Sequence, residues 1–154
     1  MEDIFKVISV GSVEQLNKLI CLGADINIQD KDKRTPLIHA VIDNQIEMVR
    51  LLIYNGAKIN IQDSLGYTAL HYAAQNYLVD ICKILSENNA IVDIQDNYGN
   101  TPLFRAVFNS NERGDIIKLL LMYNADMNLK NKSGVSPLQL SKTIGNFNIT
   151  QYME

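Results

Sequence analysis

The sequence predicts an all-α solenoid, built of stacked helix-turn-helix units with short β-hairpin turns between them. Two phrases that recur on one period predict it, together with the placement of all three prolines in the chain. The first phrase reads Thr35-Pro36-Leu37-Ile38-His39-Ala40, Thr68-Ala69-Leu70-His71-Tyr72-Ala73, Thr101-Pro102-Leu103-Phe104-Arg105-Ala106 and Ser136-Pro137-Leu138-Gln139-Leu140-Ser141, with starts 33, 33 and 35 residues apart. The second precedes each copy: Ile26-Asn27-Ile28-Gln29-Asp30, Ile59-Asn60-Ile61-Gln62-Asp63, Val92-Asp93-Ile94-Gln95-Asp96 and Met127-Asn128-Leu129-Lys130-Asn131. One such unit cannot bury its apolar face alone, but stacked neighbours can.

Each element has a local cause. Thr35, Thr68, Thr101 and Ser136 are N-caps, whose hydroxyl accepts a bond from a free helical N–H. Proline follows at 36, 102 and 137, where its missing N–H costs nothing. A turn at Asp43-Asn44 ends the first helix of that unit. A second helix then runs through Met48, Val49, Leu51, Leu52 and Ile53. It stops at Asn55-Gly56, where glycine accepts a left-handed conformation. Asn89 and Asn124 hold the same place later, asparagine being the next best tolerated residue there. The Ile-Asn-Ile alternation is a short extended arm, and Asp-x-x-Gly turns such as Asp63-Ser64-Leu65-Gly66 and Asp96-Asn97-Tyr98-Gly99 reverse the chain.

On these residues the chain resembles the ankyrin repeat family. Tyr67-Thr68-Ala69-Leu70-His71-Tyr72-Ala73-Ala74 is the best copy of the family phrase, with alanine in place of proline. The resemblance implies one domain over 1–154. Residues 1–29 form an N-terminal cap repeat, in which Ser12-x-x-Gln15 reads as a capping box and Leu22-Gly23-Ala24-Asp25 closes the unit. Residues 30–62, 63–95 and 96–130 are internal repeats. Residues 131–154 are a shortened C-terminal cap whose last helix ends near Tyr152-Met153, with Gln139, Ser141 and Thr150 making its outer face more polar. Three departures stand out. Histidine follows Leu70 only in the third unit. Tyr77 stands where glycine or asparagine is expected, which predicts a reshaped turn. The fourth unit carries two extra residues in Asn109-Ser110-Asn111-Glu112-Arg113-Gly114, either a longer surface loop or a finger that widens a contact.

Composition narrows the function. Apolar residues are 47% and charged residues 20%, a globular rather than disordered balance. A net charge of −3 argues against a nucleic-acid binder. The acidic start and the short apolar runs predict neither a secretory signal nor a membrane span, hence a cytoplasmic protein. Cys21 and Cys82 read as small core residues in a reducing compartment. Neither histidine has a catalytic partner that the sequence singles out, and the aspartates at 30, 63 and 96 recur because the turn needs them. No catalytic, cofactor or metal residue is assigned. The helix pairs Glu14–Lys18, Glu47–Arg50, Asp80–Lys83 and Asp115–Lys118 read as solvated decoration. Asn27, Asn60 and Asn128 read as backbone partners in the hairpins.

The resemblance implies a binding module rather than an enzyme, whose partner meets turn tips and first helices on a concave face. Transferred to this register, the tips supply Lys31, Asp32, Arg34, Ser64, Leu65, Tyr67, Asn97, Tyr98 and Asn100, then Lys132, Ser133 and Val135. The ends of the first helices supply Ile42, Asp43, Gln75, Asn76, Phe108 and Asn109, with Arg113 in the insertion. Tyr67, Tyr98 and Phe108 are expected to be exposed aromatics at the centre of the contact, since exposed aromatic clusters mark interfaces; the alternative is that Tyr67 and Tyr98 pack against neighbouring turns. The expected partner is a folded protein held by a monomer acting as adaptor or inhibitor, an immunity or antitoxin type among them. The alternative is an effector aimed at a host protein. No nucleic acid and no membrane are expected as partners.

Overall fold

The structure is a computed structural model, and it describes residues 3–144 and 150–153. Its helices are α1 (Ile4–Val10), α2 (Val13–Cys21), α3 (Pro36–Ile42), α4 (Ile46–Tyr54), α5 (Ala69–Gln75), α6 (Val79–Glu87), α7 (Pro102–Phe108), α8 (Asp115–Met122) and α9 (Pro137–Thr143). They form two rows. α1, α3, α5, α7 and α9 pack in sequence as first helices, and α2, α4, α6 and α8 pack in sequence behind them. Among the described residues there is no strand: the turns between units are present, but as turns without a ladder.

Short helices of seven residues are marginal alone, so their ends and their packing must hold them. Thr35, Thr101 and Ser136 accept from the N–H of Ile38, Phe104 and Gln139, each at 3.2 Å. Such a cap contributes about 1 kcal/mol. Ser12 also caps its helix, accepting from Gln15 N–H at 3.3 Å. The return bond that would complete a capping box there does not form among the described residues. Ala40, Ala73, Ala106 and Ser141 occupy one register and are fully buried, which lets the first helices approach closely. Ser141 and Thr150 therefore face inward, Ser141 donating to the Leu138 carbonyl at 2.8 Å. Only Gln139 of the expected polar outer residues is exposed. The last helix expected near Tyr152-Met153 falls partly on residues 145–149, outside the described residues.

Backbone conformation repeats as the residues demand. Gly66 and Gly99 have φ of +79° and +80°, and a Cβ at either would lie 2.7 or 2.8 Å from the next unit's backbone nitrogen, Asn97 or Lys132. Lys33 holds the same slot with φ of +59°. Between paired helices, Asn44 is left-handed at +52° and Tyr77 at +56°. The turn at Tyr77 is thus not reshaped: tyrosine takes the asparagine conformation, and its ring is buried at 8% exposure.

Other expectations are corrected by side-chain placement. Cys82 is buried, and burial pushes its thiol up to about 12, whereas Cys21 is exposed. None of the four predicted helix-face pairs closes to an ion pair among the described residues; Lys83 instead meets Glu87 at 3.9 Å. Asn27 and Asn60 do bond backbone, but across units. Their side-chain oxygens accept from Lys58 N–H and Ile91 N–H, both at 2.8 Å, and Asp93 takes the same role for Asp126 at 3.0 Å.

Candidate protein-binding face

The turns form a locked row. Ser64 N–H donates to the Asp32 carbonyl at 2.9 Å, Asn97 N–H to Leu65 at 3.0 Å, and Lys132 N–H to Tyr98 at 3.0 Å. A glutamine ladder runs beneath them. Gln29, Gln62 and Gln95 each donate to the carbonyl closing their own turn, Lys33, Gly66 and Gly99, and also to the next unit, at Gln62, Gln95 and Lys130. Within each turn, Oδ1 of Asp30, Asp63 or Asp96 accepts two backbone N–H bonds at 2.8–2.9 Å.

The other carboxylate oxygen ties each turn to its helix. His39 Nε2 meets Asp30 Oδ2 at 2.7 Å, and Tyr72 OH donates to Asp63 Oδ2 at 2.6 Å. Arg105 donates to Asp96 Oδ2 through Nε at 3.2 Å and also through Nη2. The separation is nine residues each time, and three different donors fill one position. Sequence reasoning missed this set. A hydrogen-bond donor nine residues after each turn acid was the signal that could have found it. The fifth unit has Asn131 and Leu140 there, so the tie ends with the fourth. Burial alone would raise the Asp96 carboxyl, but the Arg105 bonds and the Asn100 and Tyr98 N–H bonds hold it below the usual range.

His71 lies one residue before this position and points across the stack. Its Nδ1 accepts from Thr68 N–H at 3.1 Å, and its Nε2 donates to the Asn100 carbonyl at 3.1 Å. Both nitrogens are satisfied by a neutral ring, and burial depresses its pKa to about 4.

These ties decide which predicted residues are available. Tyr67 is not an exposed tip: it is 8% exposed, stacked on His71 at 5.3 Å, tilted against Tyr72, and covered by the Arg105 guanidinium at 4.8 Å. Asn100 is likewise buried, its Oδ1 accepting from Asn131 Nδ2 at 2.8 Å. Both are stacking residues, because the neighbouring unit supplies the groups that cover them. Lys31, Asp43, Ser64, Leu65, Asn76, Asn97, Tyr98, Phe108, Arg113, Lys132 and Ser133 are exposed. Asp32, Arg34, Ile42, Gln75, Asn109 and Val135 are half-buried. Arg34 leans toward Asp63 at 3.8 Å and over the Tyr72 ring.

The insertion is held as well. Tyr77 donates its hydroxyl to the Arg113 carbonyl, and its ring carries the Arg113 guanidinium at 4.1 Å. Asn111 and Glu112 are both left-handed, and a side chain at Gly114 would collide with the Tyr152 ring. Among the described residues no group of three or more His, Cys, Asp or Glu is placed to hold a metal ion, and no helix is long and apolar enough to cross a membrane.

A solenoid of paired helices with a tied row of turns is a scaffold of the repeat-protein class. The family model for ankyrin repeats, in three copies, matches residues 4–96 and 44–131. The chain belongs to the ankyrin repeat family, whose members are in general non-enzymatic modules for protein–protein interaction. Comparison with curated proteins gives no match.

Proposed function

We propose that the chain binds a folded protein through the row of turns and the ends of the first helices, as a monomeric adaptor or inhibitor. The observation that supports this reading is the exposure of Leu65 at 45%, Tyr98 at 66% and Phe108 at 62% on that face. Leu65 and Tyr98 sit on adjacent turns joined by a backbone bond, so the two exposed side chains are neighbours along the row. The second helices also carry bare residues, Tyr54 at 89% and Met122 at 78%. There the α6 end supplies exposed Glu87, which interrupts the row. An immunity or antitoxin type of inhibitor and a host-directed effector would use the same face; finding a toxin gene next to this one would favour the first.

The test is affinity capture from the native lysate with mass spectrometry, using a Leu65→Ala, Tyr98→Ala, Phe108→Ala variant as control. Truncating anchor residues at the centre of an interface costs about 2 kcal/mol or more each. The expected result is a partner held by the native chain and lost by the variant. A folded variant that keeps every partner would move the contact to another surface.

A further inference from the structure

The outward side of the turn row has a charge order that the proposed function leaves unexplained. Lys31 and Lys33 stand on its first turn, Lys132 stands on its last, and Lys130 sits just before that turn in the register of Gln29, Gln62 and Gln95; all four are exposed. The ion pairs among the described residues are Arg34–Asp63, His39–Asp30, Lys83–Glu87 and Arg105–Asp96, and none uses these lysines. The acids that could cancel them are turned inward: Asp63 and Asp96 are 6% and 4% exposed and spend both oxygens on turn and helix. Asp30 is bound to His39, and Asp32, the remaining acid of the row, is half-buried. Between the two lysine pairs lie Leu65 and Tyr98. The order along the row is therefore cationic, apolar, apolar, cationic.

Two features make this order an interface property rather than a solvated surface. First, the backbone under it is fixed. Lys33 and Lys130 carbonyls accept from the glutamine ladder, and Lys132 N–H is bonded to Tyr98, so the backbone from which the lysines project is set, while each side chain still loses rotamer freedom when a partner orders it. Second, Lys33 sits at φ of +59° in the slot that glycine fills at 66, 99 and 134. A side chain there is held against a backbone preference, and such strain concentrates at functional positions.

We infer that the row takes a folded partner whose surface is acidic at two places about 25–30 Å apart, three steps at the 8–10 Å spacing of packed helices, and apolar between them. This rests on the reading that the turn row is the binding face. Free lysines at the ends give orientation and on-rate, and the apolar centre gives residence. The chain as a whole carries −3, a weak net bias that the four lysines oppose along this edge. A nucleic acid would also seek the lysines, but an acidic molecule with four free lysines in two separated pairs favours a protein with two matching acidic patches over a continuous polyanion.

The test uses the full chain and defined probes. One is a 22-residue helical peptide, Glu-rich at both ends with a Leu and Tyr centre, about 33 Å long. The others are its Gln-ended twin and a 20-nucleotide oligothymidylate. Amide spectra of the isotope-labelled chain report where each binds. The expected result is that the Glu-ended peptide shifts Lys31, Leu65, Tyr98 and Lys132 and binds at least about tenfold tighter than its Gln-ended twin at low salt. The advantage is expected to disappear in K31Q/K33Q/K130Q/K132Q, with dispersion of its amide spectrum as the check that the variant folds. Equal binding of both peptides at the row, lost on Leu65→Ala, Tyr98→Ala, overturns the charge inference and leaves the binding face standing. Tighter binding of the oligothymidylate at the same lysines reassigns the row to nucleic acid. Shifts on α2, α4, α6 and α8, or no shifts, reject the inference, and the binding face then depends on the capture experiment alone.

Discussion

Tyr77 donates its phenol to the carbonyl of Arg113 and carries the Arg113 guanidinium on its ring at 4.1 Å. Two departures from the repeat, an aromatic residue in a left-handed turn and a two-residue insertion in the next unit, are thus one structure. Burial pushes the Tyr77 hydroxyl up to about 12, so the phenol stays a donor throughout the neutral range. Tyr77→Asn relieves about 1 kcal/mol of backbone strain but removes a buried ring, a loss of about 3–5 kcal/mol. The expected net loss is about 2–4 kcal/mol, read by urea unfolding, with faster amide exchange over 109–114. A variant as stable as the native chain would detach the loop from Tyr77.

The His71 ring gives a pH signature. Its folded pKa, about 4, lies below the ordinary 6.5, so the unfolded chain takes up a proton first as pH falls. Its contribution is full above pH 6.5, is lost progressively down to about 4, and is flat below that. The linked loss is about 3 kcal/mol. Unfolding free energies measured between pH 7 and 4 should fall in the native chain and fall less in His71→Gln. Parallel slopes in the two proteins would contradict a neutral buried imidazole.

The three turn ties should differ in strength because their donors differ. Arg105→Leu leaves the Asp96 carboxylate buried without its cation, which costs about 3–5 kcal/mol. Tyr72→Phe removes one neutral donor to Asp63 and costs about 1–2 kcal/mol. His39→Phe acts at a half-buried site and costs less. Chemical denaturation of the three variants checks the order.

Lys33 is held in a conformation that glycine prefers. Lys33→Gly is expected to stabilise the fold by about 0.5–1 kcal/mol, raising the melting temperature by about 1–4 °C for a chain this size. Calorimetry reads it. A lower melting temperature would show that the lysine side chain contributes packing or charge that outweighs its backbone cost.

The parts of this fold that were legible in the sequence are those whose causes are local. Caps at Thr35, Thr101 and Ser136, the prolines after them, and left-handed turns at glycine and asparagine act within a few residues of their own position. What stayed hidden depends on a neighbouring unit. Tyr67 reads as an exposed tip until Arg105, 38 residues on, is seen to cover it. Asn100 reads as a contact residue until Asn131 is seen to bond it. The nine-residue tie is the exception: it lies within one unit, and His39 reads as a stray histidine only until its relation to Asp30 is compared with Tyr72 and Arg105. Side-chain direction across the stack is set by the neighbour, and no spacing within one unit encodes it.

The measurement that bears most directly on the binding face is hydrogen exchange of the native chain, free and in complex with the partner it captures. The account predicts new protection at Lys31–Lys33, Ser64–Gly66, Asn97–Gly99 and the end of α7 near Phe108, with α2, α4, α6 and α8 unchanged. Protection confined to those second helices, around Tyr54 and Met122, would contradict it.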